Sequence, residues 1–441
     1  MRQVVVVQSS TNWAAGDHPP PTEPIEPTRE PEVKVDLTYI FQYFATPDKA
    51  AAGVSYVGHT RAYENCRRLV ARGHRVTVLT AQMRGGERGK WTSEDVDGIR
   101  VARVGVPYSQ SMSYRRRAQA FLEFTALATQ RAMRQRGDAV LASSPPLSVA
   151  VPALASTRPK RPMILEVRDL WPDMPISMGL LPNPALRMAA RGLELGSYRV
   201  ASKIIVLSPG MRDQLVSRGI PDSKIAVITN ASDLEIFSDK GDPEAFLRLV
   251  PGVRDRPFAL FAGSMGATHG LAWVVDLCRE MLRVDPLPAV VIQGDGAMRS
   301  ELIASAEAAG VLDTNLFFAP QVPKVKIADS YRAASMGLSV AVDAAGIEHN
   351  GANKFFDTLA AGRGLAINYG GWQGQILVDA DAGIPLPRDP RGAAAQLVAA
   401  LLDREKLDSM GIRAGRLARE RFSRDTIAEQ LESTLLEVVA R

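Results

Sequence analysis

Residues 351–371 read Gly-Ala-Asn-Lys-Phe-Phe-Asp-Thr-Leu-Ala-Ala-Gly-Arg-Gly-Leu-Ala-Ile-Asn-Tyr-Gly-Gly, a helix that stops at Gly362 followed by a short apolar strand over residues 364–368. Lys354 and Asp357 stand three positions apart on one face of the helix, in its opening turn. Amide N–H groups and a cation at a helix start suit a phosphate, and a carboxylate that accepts from both hydroxyls suits a ribose. One helix therefore offers both halves of a grip on a nucleoside diphosphate. The plainer reading of the same spacing is a surface ion pair, worth about 0.2–0.5 kcal/mol.

The alternation of helix and short apolar strand continues outward on both sides. Upstream in the second half, strands are predicted over residues 258–262, 289–293, 315–318 and 337–342. In the first half they are predicted over residues 35–41, 75–80, 99–104, 139–142, 162–167 and 203–207. Such alternation is the mark of βα units around a parallel sheet. The expectation is an α/β chain of two Rossmann-like, doubly wound domains facing across a cleft, residues 34–237 and 257–420. Residues 238–256 mix Asp, Gly, Pro and Arg and read as a linker. A last helix over residues 424–439, within a C-terminal segment 421–441, closes the chain. Residues 1–33, where six prolines fall between Pro19 and Pro31, read as an extension outside the fold.

A chain of 441 residues exceeds one hydrophobic core and suits two domains. With 46% hydrophobic and 23% charged residues it matches neither a disordered nor a collagen-like composition. Cys66 and Cys278 lie far apart without metal or redox spacing, which points to a cytoplasmic protein with no cysteine metal site. A formal charge of +5 favours anionic partners. Arg115, Arg116 and Arg117, then Arg131, Arg134 and Arg136, bracket an apolar stretch with Phe121, Leu122, Phe124 and Leu127. Two readings stay open: a basic amphipathic helix lying on the inner face of an anionic membrane, or a solvated face over a core stripe. No nucleic-acid module accompanies the arginines, so no nucleic-acid partner is expected.

Several strand ends carry residues with chemistry. After the first strand, residues 41–54 run through small residues to Gly53, where backbone amides can approach a ligand. Arg168, Asp169 and Trp171 end the strand Ile-Leu-Glu-Val, either as a structural pair or as groups beside a reacting sugar. Two glycine-rich turns, Gly263-Ser264-Met-Gly and Gly294-Asp-Gly, follow strands in the second half and suit a diphosphate and a base or ribose.

Taken together, Gln42-Tyr-Phe with Gly53, Arg72-Gly-His-Arg-Val-Thr-Val-Leu-Thr, Glu166-Val-Arg-Asp-Leu-Trp-Pro, Asn230-Ala-Ser-Asp-Leu-Glu-Ile-Phe, Gly294-Asp-Gly and Asn353-Lys-Phe-Phe-Asp-Thr-Leu-Ala-Ala-Gly resemble the family-four retaining glycosyltransferases of the GT-B fold. The similarity spans roughly residues 36–440, and it is greatest to the bacterial O-antigen and capsule branch that includes N-acetylfucosamine transferases. It implies transfer from a nucleotide-sugar, a UDP-sugar by preference, to a lipid-linked or saccharide acceptor, with no cofactor and no metal. It also implies that the final helix crosses back to the first domain. The family's Glu-x7-Glu pair falls on His349 and Asp357, and its usual Arg and Lys fall on Ser264 and His269. Carried over residue by residue, the donor site becomes Gly53, Gly263, Ser264, Gly294, Val322, Asn350, Gly351, Ala352, Asn353, Lys354 and Asp357, with Arg168, Asp169 and His349 at the reacting sugar. The alternatives are a nucleotide-sugar epimerase of the same fold and a non-catalytic nucleotide-sugar-binding protein. A nicotinamide oxidoreductase is disfavoured, since the first loop lacks Gly-x-Gly-x-x-Gly.

Overall fold

In this computed structural model residues 33–46, 60–109, 112–173, 176, 181, 183–238, 241–344 and 351–440 are described. The first sheet contains β1 (Asp36–Ile40), β2 (Arg75–Gln82), β3 (Trp91–Val96), β4 (Ile99–Gly105), β5 (Ala139–Ser143), β6 (Met163–Val167), β7 (Lys203–Val206) and β8 (Ile225–Val227). Its order is β3-β4-β2-β1-β5-β6-β7-β8, parallel except for the antiparallel β3–β4 pair. The second contains β9 (Phe258–Ala262), β10 (Ala289–Gln293), β11 (Leu316–Ala319), β12 (Met336–Ser339), β13 (Leu365–Ile367) and β14 (Gly383–Pro385), all parallel in the order β11-β10-β9-β12-β13-β14.

With β3 set aside, both sheets run three-two-one-four-five from one edge, the doubly wound order. Central strands β5, β6, β9 and β10 are buried at every residue. Helices cover both faces, which is why these strands read as unbroken apolar runs. On one face of the first sheet Leu37, Tyr39 and Phe41 share a core with Ile427, Leu431, Leu435 and Val438. These four belong to the Arg424–Val439 helix, so the end of the chain crosses back to complete the first core.

The expectations differ from the structure in three places. Strand β3 was not anticipated; it turns back at Asp97 (φ 53°) and Gly98 (φ 76°), an Asp-Gly hairpin signal of the kind that favours positive φ at both residues. Strands β8 and β14 have three residues each, too few to show a period. The segment expected to be a linker holds the helix Pro243–Leu249, and Phe246 stacks on Phe258 with ring centroids 5.9 Å apart. Pro243 occupies the first turn, where proline starts a helix rather than breaking one. Residues 1–32 lie outside the described residues.

Candidate active site

Open α/β sheets hold ligands beyond the carboxyl ends of their strands, where the order reverses. Both sheets present that edge to one cavity of about 270 Å³. The first sheet contributes Pro145 after β5, Arg168 and Asp169 after β6, and Leu207 after β7. The second contributes His269, Ser339 at the end of β12 with Val340 and Ala341 after it, Tyr369 after β13, and Gly351, Ala352, Asn353 and Lys354.

The helix Asn353–Ala360 enters this cavity with Ala352 as its N-cap and no side chain capping it. The Phe355 amide donates to the Ala352 carbonyl at 3.1 Å, which leaves the amides of Asn353 and Lys354 for another acceptor. Phe355 and Phe356 fix the helix by packing edge-on against Phe422, with centroids 5.5 Å and 5.3 Å away. Lys354 is only 8% exposed, and its ammonium lies 4.4 Å from the centroid of the Phe261 ring. Its stem runs under Gly263, where an added Cβ would come within 3.0 Å of the lysine Cε. Among the described residues the ammonium has neither an ion pair nor a hydrogen bond. Burial pulls its pKa down to about 8, and the Asp357 carboxylate offsets this only in part.

Asp357 is engaged elsewhere: its Oδ1 lies 2.5 Å from Nζ of Lys324, which follows β11. The surface-pair reading of Lys354 with Asp357 is therefore incorrect, because one is buried and the other pairs with a different lysine. Ser264 shares a 2.8 Å hydrogen bond with Nε2 of His269. Burial, and then the nearby Lys354, lower the His269 pKa to about 4, so the imidazole is neutral near pH 7.

Across the cavity Arg168 lies over the Phe41 ring at 5.3 Å. The Asp169 carboxyl has no ion pair with it; burial pushes its pKa up while Arg168 opposes the rise. Beneath them Glu166 is fully enclosed and accepts from Arg61 at 2.9 Å, from Tyr39 at 3.2 Å and from Ser143 at 2.5 Å. Burial alone would raise its pKa, but Arg61 and Arg168 hold it below the ordinary value.

The sheets are joined just below the cavity. Asn230 donates to the Gly351 carbonyl at 3.3 Å and to Oδ1 of Asn353 at 3.0 Å. The Ser232 hydroxyl donates to the Phe356 carbonyl at 2.9 Å, and a buried Arg424–Asp233 pair closes at 2.7 Å.

The cavity thus gathers Arg168, Asp169, Gly351, Ala352, Asn353 and Lys354, with Gly263 and Ser264 one contact behind. Gly294, Val322 and Asp357 do not line it. A Cβ at Gly294 would sit 2.0 Å from the Gly263 carbonyl, so the neighbouring backbone alone already requires glycine there. Gly53, His349 and Asn350 fall outside the described residues. Sequence reasoning missed Asn230 and Lys324 as site residues, and noted His269 only as standing where the family has a cation. Asn230 lay in a quoted motif, whereas Lys324 carries no local signal.

Solved structures of the same architecture cover nearly the whole chain. Sucrose-phosphate synthase from Thermosynechococcus elongatus superposes with a TM-score of 0.70 at 15% identity, over 92% of this chain and 99% of its own. HepE of Anabaena, in complex with UDP and glucose, gives 0.65 at 16% identity over 91% and 100%. WaaG, a glycosyltransferase involved in lipopolysaccharide biosynthesis, gives 0.62 at 13% over 91% and 99%. The chain has the GT-B fold. Within it, residues 58–231 match the family described as "Glycosyl transferase 4-like domain", which covers most of the first GT-B half. No curated protein matches by sequence. Arg168, Asp169 and Asn230 fall inside the matched segment, while Lys354 lies in the second GT-B half.

Proposed function

We propose that the protein is a retaining glycosyltransferase that moves a sugar from a nucleotide-sugar, a UDP-sugar by preference, to a lipid-linked or saccharide acceptor in bacterial surface polysaccharide synthesis. The observation that carries this reading is the buried, unpaired ammonium of Lys354 beside uncapped helix amides, opposite Asp169 in the cleft between two doubly wound sheets. The match to a glycosyl transferase 4-like domain supports it, as does the UDP and glucose bound by HepE.

In this scheme Lys354 and the first amides of its helix bind the donor diphosphate, and Asp357, oriented by Lys324, faces the ribose. Donors aimed at the charge that grows on the leaving diphosphate supply most of the catalysis. Arg168 and Asp169 hold the acceptor side, where Asp169 accepts a hydrogen bond from an acceptor hydroxyl beside the attacking one. The glycosidic C–O bond to the diphosphate breaks as the acceptor oxygen bonds to the anomeric carbon from the same face. The departing phosphate oxygen takes the hydroxyl proton.

Peripheral contact with an anionic membrane belongs to the same proposal. On the Tyr114–Arg134 helix Arg115 and Arg116 are exposed, as are Leu122 and Met133, while Phe124 is fully buried. This helix therefore has both a core stripe and an exposed basic face with apolar residues. No helix among the described residues is long and apolar enough to cross a membrane.

A thermal-shift screen against UDP, GDP, ADP, dTDP and CMP, with NAD as control, tests the central claim. Stabilisation by one nucleoside diphosphate is expected. A response to NAD alone, or to none of them, would sink the transferase reading, and binding without sugar transfer would favour a non-catalytic binding protein.

A further inference from the structure

Lys354 is a buried cation without an ion pair or hydrogen bond among the described residues. Lys354 is enclosed by Phe261, by the backbone at Gly263 and by its own helix, yet its ammonium borders the cavity. Among the described residues, no charged or titratable group near it supplies a counter-ion. Asp357, on its own helix, is 2.5 Å from Lys324. His269, on the turn after β9, is held neutral and bonded to Ser264. Tyr369, after β13, is buried, shares a hydrogen bond with Ser339 and stays protonated. Arg388 donates to the Ala341 carbonyl at 2.6 Å and adds positive charge. Asp169 faces the cavity from the opposite sheet, beside Arg168.

An ammonium removed from water without a partner is costly, and the cost falls when the group sheds its proton. A diphosphate reverses this, because its charge favours the ammonium at close range. We propose that entry of the donor's diphosphate is coupled to uptake of a proton from solvent by the Lys354 amine, so that the ligand itself charges its site. In the mildly alkaline range the free enzyme thereby avoids burying an uncompensated cation, and donor affinity becomes pH-dependent there. The proposal rests on the donor-site reading above.

Calorimetric titration of UDP into the full chain, in buffers of different ionisation enthalpy, counts the protons exchanged. For an amine titrating near pH 8, uptake of roughly 0.2 proton at pH 7.5 and roughly 0.8 at pH 8.5 is expected. Affinity should weaken above pH 8, approaching about tenfold per unit. Lys354→Met should bind weakly at both pH values without uptake. Lys354→Arg, if it fits under Gly263, should bind with little pH dependence and no uptake. UDP binding by the wild-type chain with no proton exchange at pH 8.5, or uptake that persists in Lys354→Met, overturns this proposal alone. Failure of every nucleoside diphosphate to bind overturns the donor-site reading and this proposal with it.

Discussion

At the scale of single residues, the cleft sets similar groups to different tasks by their surroundings. Lys354 and Lys324 flank the same helix, but only Lys324 has a carboxylate partner. Replacing Lys354 by Met should remove about 1.5–3 kcal/mol of UDP binding, the range for hydrogen bonds to charged groups; unchanged affinity in calorimetry would remove Lys354 from the site. The same substitution should change stability in a defined direction. The folded-state pKa of Lys354 lies below the ordinary 10.5, at about 8, so the unfolded chain binds more protons between those values. Wild-type stability relative to Lys354→Met should therefore rise as pH increases from about 8 to 10.5, and chemical denaturation at pH 7.5 and 9.5 would read the difference. Asp169→Asn should lower kcat with UDP affinity intact, since the group faces the acceptor side. A parallel loss of UDP affinity would contradict that placement.

At the scale of elements, the strand that ends in Arg168 and Asp169 is held by charge as well as by packing. Glu166 joins β6 to the Thr60–Ala71 helix through Arg61, which also donates to the Ile228 carbonyl at 2.9 Å. Glu166→Gln leaves the Arg61 cation buried without its counter-charge and should cost about 3–5 kcal/mol, the range for breaking a buried pair. Urea denaturation would measure this, and a loss under about 1 kcal/mol would show that the pair is dispensable. Because Glu166 has a depressed pKa, its contribution is present above the ordinary carboxylate range and is lost as pH falls through the folded value. The helix Arg424–Val439 acts on the same domain from the far end of the sequence. Leu431→Ala removes a side chain from the first sheet's core and should cost about 2–5 kcal/mol.

At the scale of the whole molecule, two sheets of the same order are brought edge to edge by a small set of contacts through Asn230, Ser232 and the Arg424–Asp233 pair. These joints sit beside the helix that carries Lys354, so any relative motion of the two halves passes close to the donor site. The basic face near Arg115 adds a test at this scale. The protein should co-sediment with anionic vesicles at low salt and be released as salt rises; no binding to such vesicles would confine the protein to soluble partners.

How much of this was legible beforehand depended on range. Local pattern was enough for the alternation of strands and helices, for the end of the helix at Gly362 and for the cation at position 354, because periodicity and turn chemistry act over a few residues. The Asp97-Gly98 hairpin is equally local, since the Asp-Gly pair carries its turn signal in two adjacent residues. The length of the chain and its two alternating series already implied two domains and a cleft. Only the tertiary structure decided that Asp357 pairs with Lys324, that Gly294 is required by the backbone of Gly263, and that residues 243–249, within the expected linker, form a packed helix. Each of these depends on atoms brought together from different strands, or on what a helix finds to pack against. Spacing along the chain does not encode such distances, and they arise only when the sheets close.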